Sequence, residues 1–446
     1  MKRVILKSII FILIFFVLWS FVSALVVNVD RDGYINISEF YQQQDDSLDA
    51  VYIGASTGFL YWNSAIAWNE YGITVYPYSC NANTFFSTKY IIEEARKSQP
   101  DTKFIVNVNS LTDDELSVMS MHNIINCMPF SLTKLKMIDH LCDMGDYEGK
   151  DRAEFYFPLI RFHQAWPDLY FTSKIDLGPT GYKGASIFYR YLEESVDVTD
   201  LYVAPEKNIE LSEKIVSSTE SLLSYCDEEN IEVVFVVVPQ ARDNQYEMDR
   251  LRTFADFISD KGYTVLDFSE NFDEEINLDM TKDYFDGRHT NIHGSIKFTH
   301  YLSKYLIDEY GFEDKRENEE YSDWHTSYES YMQVASSHIL DFELDYAHRD
   351  FSLEEPDFEV EVKDNNAKIS IEAVEDSQGY LVYRKDGANT LWENIVEISA
   401  EDIKKEYIDK NLTKGTNYHY TVVPYLIKDG ERYYGDFNYS GKSVTP

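Results

Sequence analysis

The chain has 446 residues, 44% of them hydrophobic and 15% aromatic, with 78 acidic against 40 basic side chains and a formal net charge of -38. That apolar content supports packed cores and excludes a disordered chain, and the length predicts two domains rather than one. So negative a chain repels phosphate backbones, which argues against nucleic acid as a partner.

The N-terminus opens with Met1-Lys2-Arg3, then Lys7, and no charged residue occurs from Ser8 to Val27. About 20 apolar residues are enough to cross a bilayer as a helix. Acidic Asp30, Asp32 and Glu39 follow, so the positive-inside rule places the N-terminus in the cytoplasm and the rest outside. A signal peptide cleaved after Val22-Ser23-Ala24 is the competing reading. The run is longer than a usual signal core, which favours an uncleaved anchor. The expected layout is a membrane anchor over 1–28 and a polar juxtamembrane segment over 29–48. The expectation is then a single-pass cell-membrane protein with the bulk of the chain outside.

Ala50-Val-Tyr-Ile53 reads as a short buried strand ending at Gly54, with Ser56 just beyond it. Ser64 to Tyr71 reads as a helix, Ile73 to Tyr76 as a second strand, Thr84 to Lys97 as a helix and Lys103 to Val108 as a third strand. Alternation of this kind predicts a parallel sheet with helices on both faces. Ser131 to Tyr189 holds Pro158, Trp166, Pro167, Gly178, Pro179 and Gly184, and reads as a helical or irregular lid. Ile209 to Asn230 is helical, Ile231 to Val238 is the clearest core strand, and Pro239 ends it. Arg242 to Lys261 is helical, Thr264 to Asp267 is a fifth strand, and Gly294 to Tyr310 is a closing helix. The α/β domain is expected over 49–312, a charged and aromatic connecting segment over 313–355, and an all-β domain over 356–446. Short alternating runs begin the last region: Phe358–Val362, Ala367–Ile371, Tyr380–Tyr383 and Tyr418–Val423.

The four cysteines, Cys80, Cys127, Cys142 and Cys226, fit no metal or redox spacing and read as small core residues, with a disulfide left open. Ser56 follows a strand end, where open α/β sheets bind ligands. Alone it is equally a helix cap. Asp286-Gly-Arg-His289 supplies the second signal. A carboxylate three residues before an imidazole can fix its tautomer, leaving the other nitrogen to take a serine proton. A zinc site through Asp286, His289 and His293 competes for the same segment.

Gly54-Ala55-Ser56 and Asp286-x-x-His289, in that order, resemble the first and last blocks of the SGNH (GDSL-like) hydrolases. Asp49 to Ser56, Trp68 to Ile73 and His289 to Thr299 resemble SGNH-like proteins of Gram-positive cell surfaces. The resemblance implies a three-layer flavodoxin-like fold and ester or acyl-transfer chemistry, with Ser56, Asp286 and His289 as the triad. Ala55 stands where the family has Asp, and the family's middle blocks are missing. By the same resemblance the oxyanion candidates are Asn81 and Asn83 after the second strand and Asn107 or Asn109 at the third; Asn109, at that strand's end, is preferred, then Asn81, and Asn83 reads rather as a helix cap. His163 with Trp166 is a candidate sugar contact, and Lys297 reads as a surface charge.

Leu412-Thr-Lys-Gly-Thr416-Asn-Tyr418 resembles the tyrosine corner of fibronectin type III domains. Such a module spaces or binds, and Trp392 and Tyr433 are its candidate glycan contacts. The expected function is a membrane-anchored serine esterase or O-acyltransferase acting on O-acetyl esters of polysaccharide, with no cofactor and no metal. Its partners are an acylated glycan or other ester and the membrane. The alternative is an inactive SGNH-like protein that binds glycan or assists surface assembly.

Overall fold

The computed structural model describes residues 2–111, 116–163, 180–190, 192, 205–206, 208–240, 245–269, 275–344, 348–387, 391–403 and 407–446. The chain divides into two units: Met1–Ser186 with Leu192–Thr290 and Gly294–Glu317, and Ile187–Tyr191 with Asn291–His293 and Asn318–Pro446.

The first unit begins with α1 (Lys2–Val26), a helix long and apolar enough to cross a bilayer. The same length and composition suit a membrane span and a signal sequence. Beyond α1, Asp30 caps α2 (Arg31–Phe40) by accepting from the Gly33 amide at 3.0 Å.

The sheet follows. Strand β1 (Ala50–Gly54) is wholly buried, and α3 (Ser56–Tyr61) and α4 (Ser64–Tyr71) come after it. Strand β2 is Val75–Ser79, two residues later than the apolar run suggests. Just before it, the Asp49 carboxylate holds both the Thr74 amide at 2.8 Å and its hydroxyl at 3.0 Å, and the Asp49 amide donates to the Thr74 carbonyl at 2.9 Å. Pro77 is tolerated because β2 is an edge strand. After α5 (Thr88–Ala95) comes β3 (Lys103–Asn107).

The next stretch is more helical than its prolines suggest. It holds α6 (Val118–Cys127), α7 (Leu132–Met144), α8 (Gly149–Tyr156) and α9 (Leu159–Phe162). Ser117 and Ser131 cap α6 and α7. Trp166, Pro167, Gly178 and Pro179, on which the irregular-lid reading leaned, lie outside the described residues.

Helix α10 (Glu213–Glu228), β4 (Val233–Val237), α11 (Gln245–Asp260), β5 (Thr264–Asp267) and α12 (Ile292–Tyr310) complete the order. The five strands are parallel and run β2-β1-β3-β4-β5. That is the flavodoxin-like order, whose switch point lies between β1 and β3. Ala50, Tyr52, Ile105, Val234 and Val236 face a core with Phe298, Leu302 and Leu306 of α12 and Ala67 of α4. The alternate residues point the other way, to the layer where α5 lies against β1 and α10 against α5. This is a three-layer α/β fold.

The second unit holds α13 (Ser322–Glu343), a helix of 22 residues inside what reads as a connecting segment. Its buried side chains Trp324, Tyr331, Ala335 and Ile339 recur at helical spacing. Two antiparallel sheets follow. One pairs β6 (Phe358–Lys363), β7 (Asn366–Ile371) and β10 (Tyr407–Asp409). The other joins β8 (Gly379–Asp386), β9 (Glu393–Ser399), β11 (Tyr418–Lys428), β12 (Glu431–Tyr434) and β13 (Lys442–Val444). Tyr418 makes the corner: its hydroxyl accepts from the Thr413 amide at 3.0 Å.

Candidate active site

Ser56 opens the first turn of α3, directly beyond the carboxyl end of β1 and therefore at the sheet's switch point. The turn is tight because glycine lies beneath it. A Cβ on Gly58 would stand 2.1 Å from Ser79 Oγ, so only glycine lets α3 lie this close to β2. Two asparagines buttress the turn. Asn83 donates to the Gly54 carbonyl at 3.2 Å, and Asn107 accepts from the Thr57 hydroxyl at 3.1 Å. Both are buried.

Asp286 and His289 sit on a loop closed by a bridge between Tyr284 and Thr290 and by the Phe285 amide bonding the His289 carbonyl at 3.1 Å. Asp286 Oδ1 accepts from the amides of Arg288 and His289 at 2.7 and 2.9 Å. Its Oδ2 lies 2.8 Å from His289 Nδ1. The Phe285 ring stacks on the imidazole at 5.5 Å. Ser56 Oγ is 2.7 Å from His289 Nε2. A carboxylate beside Nδ1 favours the tautomer with hydrogen there, which leaves Nε2 free to accept from serine.

Direct bonds hold the two segments in register. Thr290, next to His289, donates to the Leu60 carbonyl of α3 at 2.6 Å. Tyr61 of α3 donates to the Pro239 carbonyl, as Tyr284 does, and its hydroxyl lies 3.3 Å from the Arg288 carbonyl. The nucleophile helix and the imidazole loop are thus fastened to each other and to the end of β4. Burial pushes the Asp286 carboxyl up, but the hydrogen bond and charge of His289 and the two backbone amides outweigh it and hold the group below the usual carboxylate range.

The two preferred oxyanion candidates are engaged with the fold. Asn109 donates to the Val238 carbonyl and accepts from the Val238 amide, each at 2.8 Å, stapling the segment after β3 to the end of β4. Asn81 gives its backbone and side-chain N–H groups to Asp30 at 2.8 and 2.7 Å. Asn83 is not the cap; Thr84 caps the turn that follows. The signal for Asn83 and Asn107 was their place after or at a strand's carboxyl end.

Lys297 is half-buried: it pairs with buried Asp283 at 2.8 Å and donates to the Asn277 carbonyl at 2.8 Å. The His293 ring stacks on Phe342, and its amide donates to Asn291. Among the described residues no three His, Cys, Asp or Glu side chains form a metal-binding group. His163 is exposed and bonds the Ile160 carbonyl. Trp392 is 5% exposed with its indole N–H on Ser337, which removes it as an exposed glycan contact, whereas Tyr433 is half-buried beside His348 and Lys428. All four cysteines are free and buried.

Fold and side-chain arrangement together define an α/β unit with a serine, an imidazole and a carboxylate in line at a sheet switch point. No family model and no curated protein matches the chain. Among solved structures, a protein from Desulfitobacterium hafniense described as lipolytic and of the G-D-S-L family is 11% identical, with a TM-score of 0.28, covering 57% of this chain and 98% of its own. A Bacteroides fragilis protein described as an acylhydrolase is 8% identical, with a TM-score of 0.31, covering 61% and 94%. An Fn3-like protein from Clostridium thermocellum is 18% identical, with a TM-score of 0.16, covering 19% of this chain and 88% of its own. Scores this low carry no functional argument, so the residues themselves must.

Proposed function

We propose that the first unit is a serine hydrolase or acyltransferase acting on an ester. The supporting observation is the 2.7 Å contact between Ser56 Oγ and His289 Nε2, with Asp286 behind the ring. Ser56 attacks the ester carbonyl while His289 takes its proton. His289 then returns that proton to the leaving alcohol, and the acyl group stays on Ser56. Water as the second acceptor gives an esterase, and a sugar hydroxyl gives an acyltransferase. Asp286 keeps the imidazole in the productive tautomer and steadies its charged form.

With Asn109 and Asn81 bonded elsewhere, the oxyanion falls to the first backbone amides of α3, which have no carbonyl partner within their own helix. The substrate class is an O-acetyl ester of a cell-surface or environmental polysaccharide, and α1 is an uncleaved anchor with the domain outside. A glycan-binding protein without turnover is the second reading, favoured by the absence of a side-chain oxyanion donor from the two candidate positions.

Hydrolysis of p-nitrophenyl acetate by the full chain and its Ser56→Ala variant tests the reading. Loss of turnover and of fluorophosphonate labelling at Ser56 supports it. Equal rates in the two proteins remove the catalytic assignment and leave the binding reading.

A further inference from the structure

The end of α1 does not stand clear of the domain. Residues 3–18 are exposed all round, but Trp19 and Val22–Leu25 are half-covered, and Val26 and Val27 are buried. Trp19 meets the Phe157 ring edge-on at 6.2 Å. Length makes this consequential. The exposed part of the apolar helix, Val4–Leu18, rises about 22 Å, short of a hydrocarbon core about 30 Å thick. A full crossing therefore draws on Trp19–Val27, the stretch the domain already covers. Whatever covers it lies at the depth of one membrane face.

The covering surface carries unpartnered apolar groups. Phe157, beside Trp19, is 53% exposed. A second group comes from the α6–α7 connection. Asn126 bonds the Asn28 carbonyl at 3.2 Å and Cys127 reaches the Asp30 carbonyl, so α6 ends against the residues that leave α1. Phe130 and Leu132 follow at once, 81% and 75% exposed. Exposed apolar side chains mark an interaction surface where they group, and these two follow directly on the end of α6 that bonds Asn28 and Asp30. Aromatic residues flanking a span occupy the headgroup boundary.

We propose that Phe157, Phe130 and Leu132 seat the first unit in the lipid interface around the exit of α1, the partner being the bilayer itself. The contact is apolar and not electrostatic, because a chain of net charge -38 gains nothing from anionic headgroups. The seat also sets orientation. Asp30, four residues beyond α1, holds Asn81 after β2, and Asn83 holds the Gly54 carbonyl before Ser56. The carboxyl ends of β1 and β2 are therefore tied to the membrane-proximal residues. The proposal rests on the reading of α1 as an uncleaved anchor.

The full chain in phosphatidylcholine nanodiscs, labelled with an environment-sensitive fluorophore at single introduced cysteines, tests it; the four native cysteines are buried. Labels go on Phe130→Cys, Leu132→Cys, Leu13→Cys in mid-span, and Asp260→Cys at the end of α11, on the amino-end side of the sheet. Spin-labelled lipid should quench positions 130 and 132 several-fold more than position 260, and less than position 13. Quenching at 13 with positions 130, 132 and 260 alike overturns the seat and keeps the anchor. No quenching at 13, with the intact mass showing loss of the N-terminal residues, overturns the anchor and the seat together.

Discussion

Replacing Asp286 by Asn probes the logic of the site with little change in shape. Oδ1 accepts from two backbone amides at 2.7 and 2.9 Å, whereas Oδ2 faces His289 Nδ1 at 2.8 Å. An asparagine must keep its oxygen toward the amides, since an NH2 there would oppose two donors. Its NH2 then faces Nδ1 and donates to it. Because the retained oxygen lies 3.1 Å from Nδ1 and the NH2 takes the nearer, 2.8 Å position, the imidazole hydrogen is favoured on Nε2, the atom 2.7 Å from Ser56 Oγ, where a base is needed. A wrong tautomer in a triad of this kind costs about 10⁴ in kcat, about 5 kcal/mol of barrier. Because both backbone amides keep their acceptor, the unfolding midpoint at neutral pH should fall only by what the charged carboxylate contributes. Ester hydrolysis and urea unfolding of D286N against the parent check both halves. Activity within a few-fold of the parent, in an enzyme that Ser56→Ala silences, would refute the reasoning. The variant also isolates a pH limb. The Asp286 carboxyl is held below its ordinary range, so its contribution to stability is full above the unfolded carboxylate value near 3.8 and disappears as pH falls through the lower folded value. D286N should lack that acid limb.

Thr290→Val removes the bond to the Leu60 carbonyl at a fully buried position and leaves that carbonyl without its donor, at a cost of about 1–3 kcal/mol in urea unfolding, with kcat falling more than KM rises because the imidazole loop slackens on α3. Gly58→Ala drives a methyl to 2.1 Å from Ser79 Oγ and should destabilise by about 1–3 kcal/mol, read in the same unfolding assay. In the second unit, burial lowers the Lys385 ammonium to about 8, beneath its unfolded value near 10.5. A depressed folded value means stability is complete above the unfolded value and is lost as pH falls toward 8, by about 3 kcal/mol at most. Unfolding of the parent should therefore shift with pH between 8 and 10 relative to Lys385→Met, and parallel curves would contradict this.

Local chemistry carried much of this molecule's description. A run of uncharged residues is a helix because nothing in it needs water, so α1 is legible at once. Val-rich stretches such as Val233–Val237 are strands because β-branched chains pack on a pleated, buried surface. Asp286 meets His289 because three residues of turn can bring a carboxylate to an imidazole. Where a local cue was weak, the reading stayed open or missed the element: the prolines left 131–189 as helical or irregular, where α7 to α9 are helical, and a charged surface masked the 22-residue helix α13.

Other features were decided at long range. Ser56 and His289 are 233 positions apart, and their contact exists only because Thr290 and Tyr61 fasten the imidazole loop to α3. The asparagines show the limit most directly. Asn81, Asn83, Asn107 and Asn109 all lie at or just after strands, and one carboxamide is chemically like another. Which one braces a turn, staples two strands or bonds the aspartate that follows α1 depends on the neighbour that folding supplies, and a hydrogen bond's partner is a property of space and not of spacing.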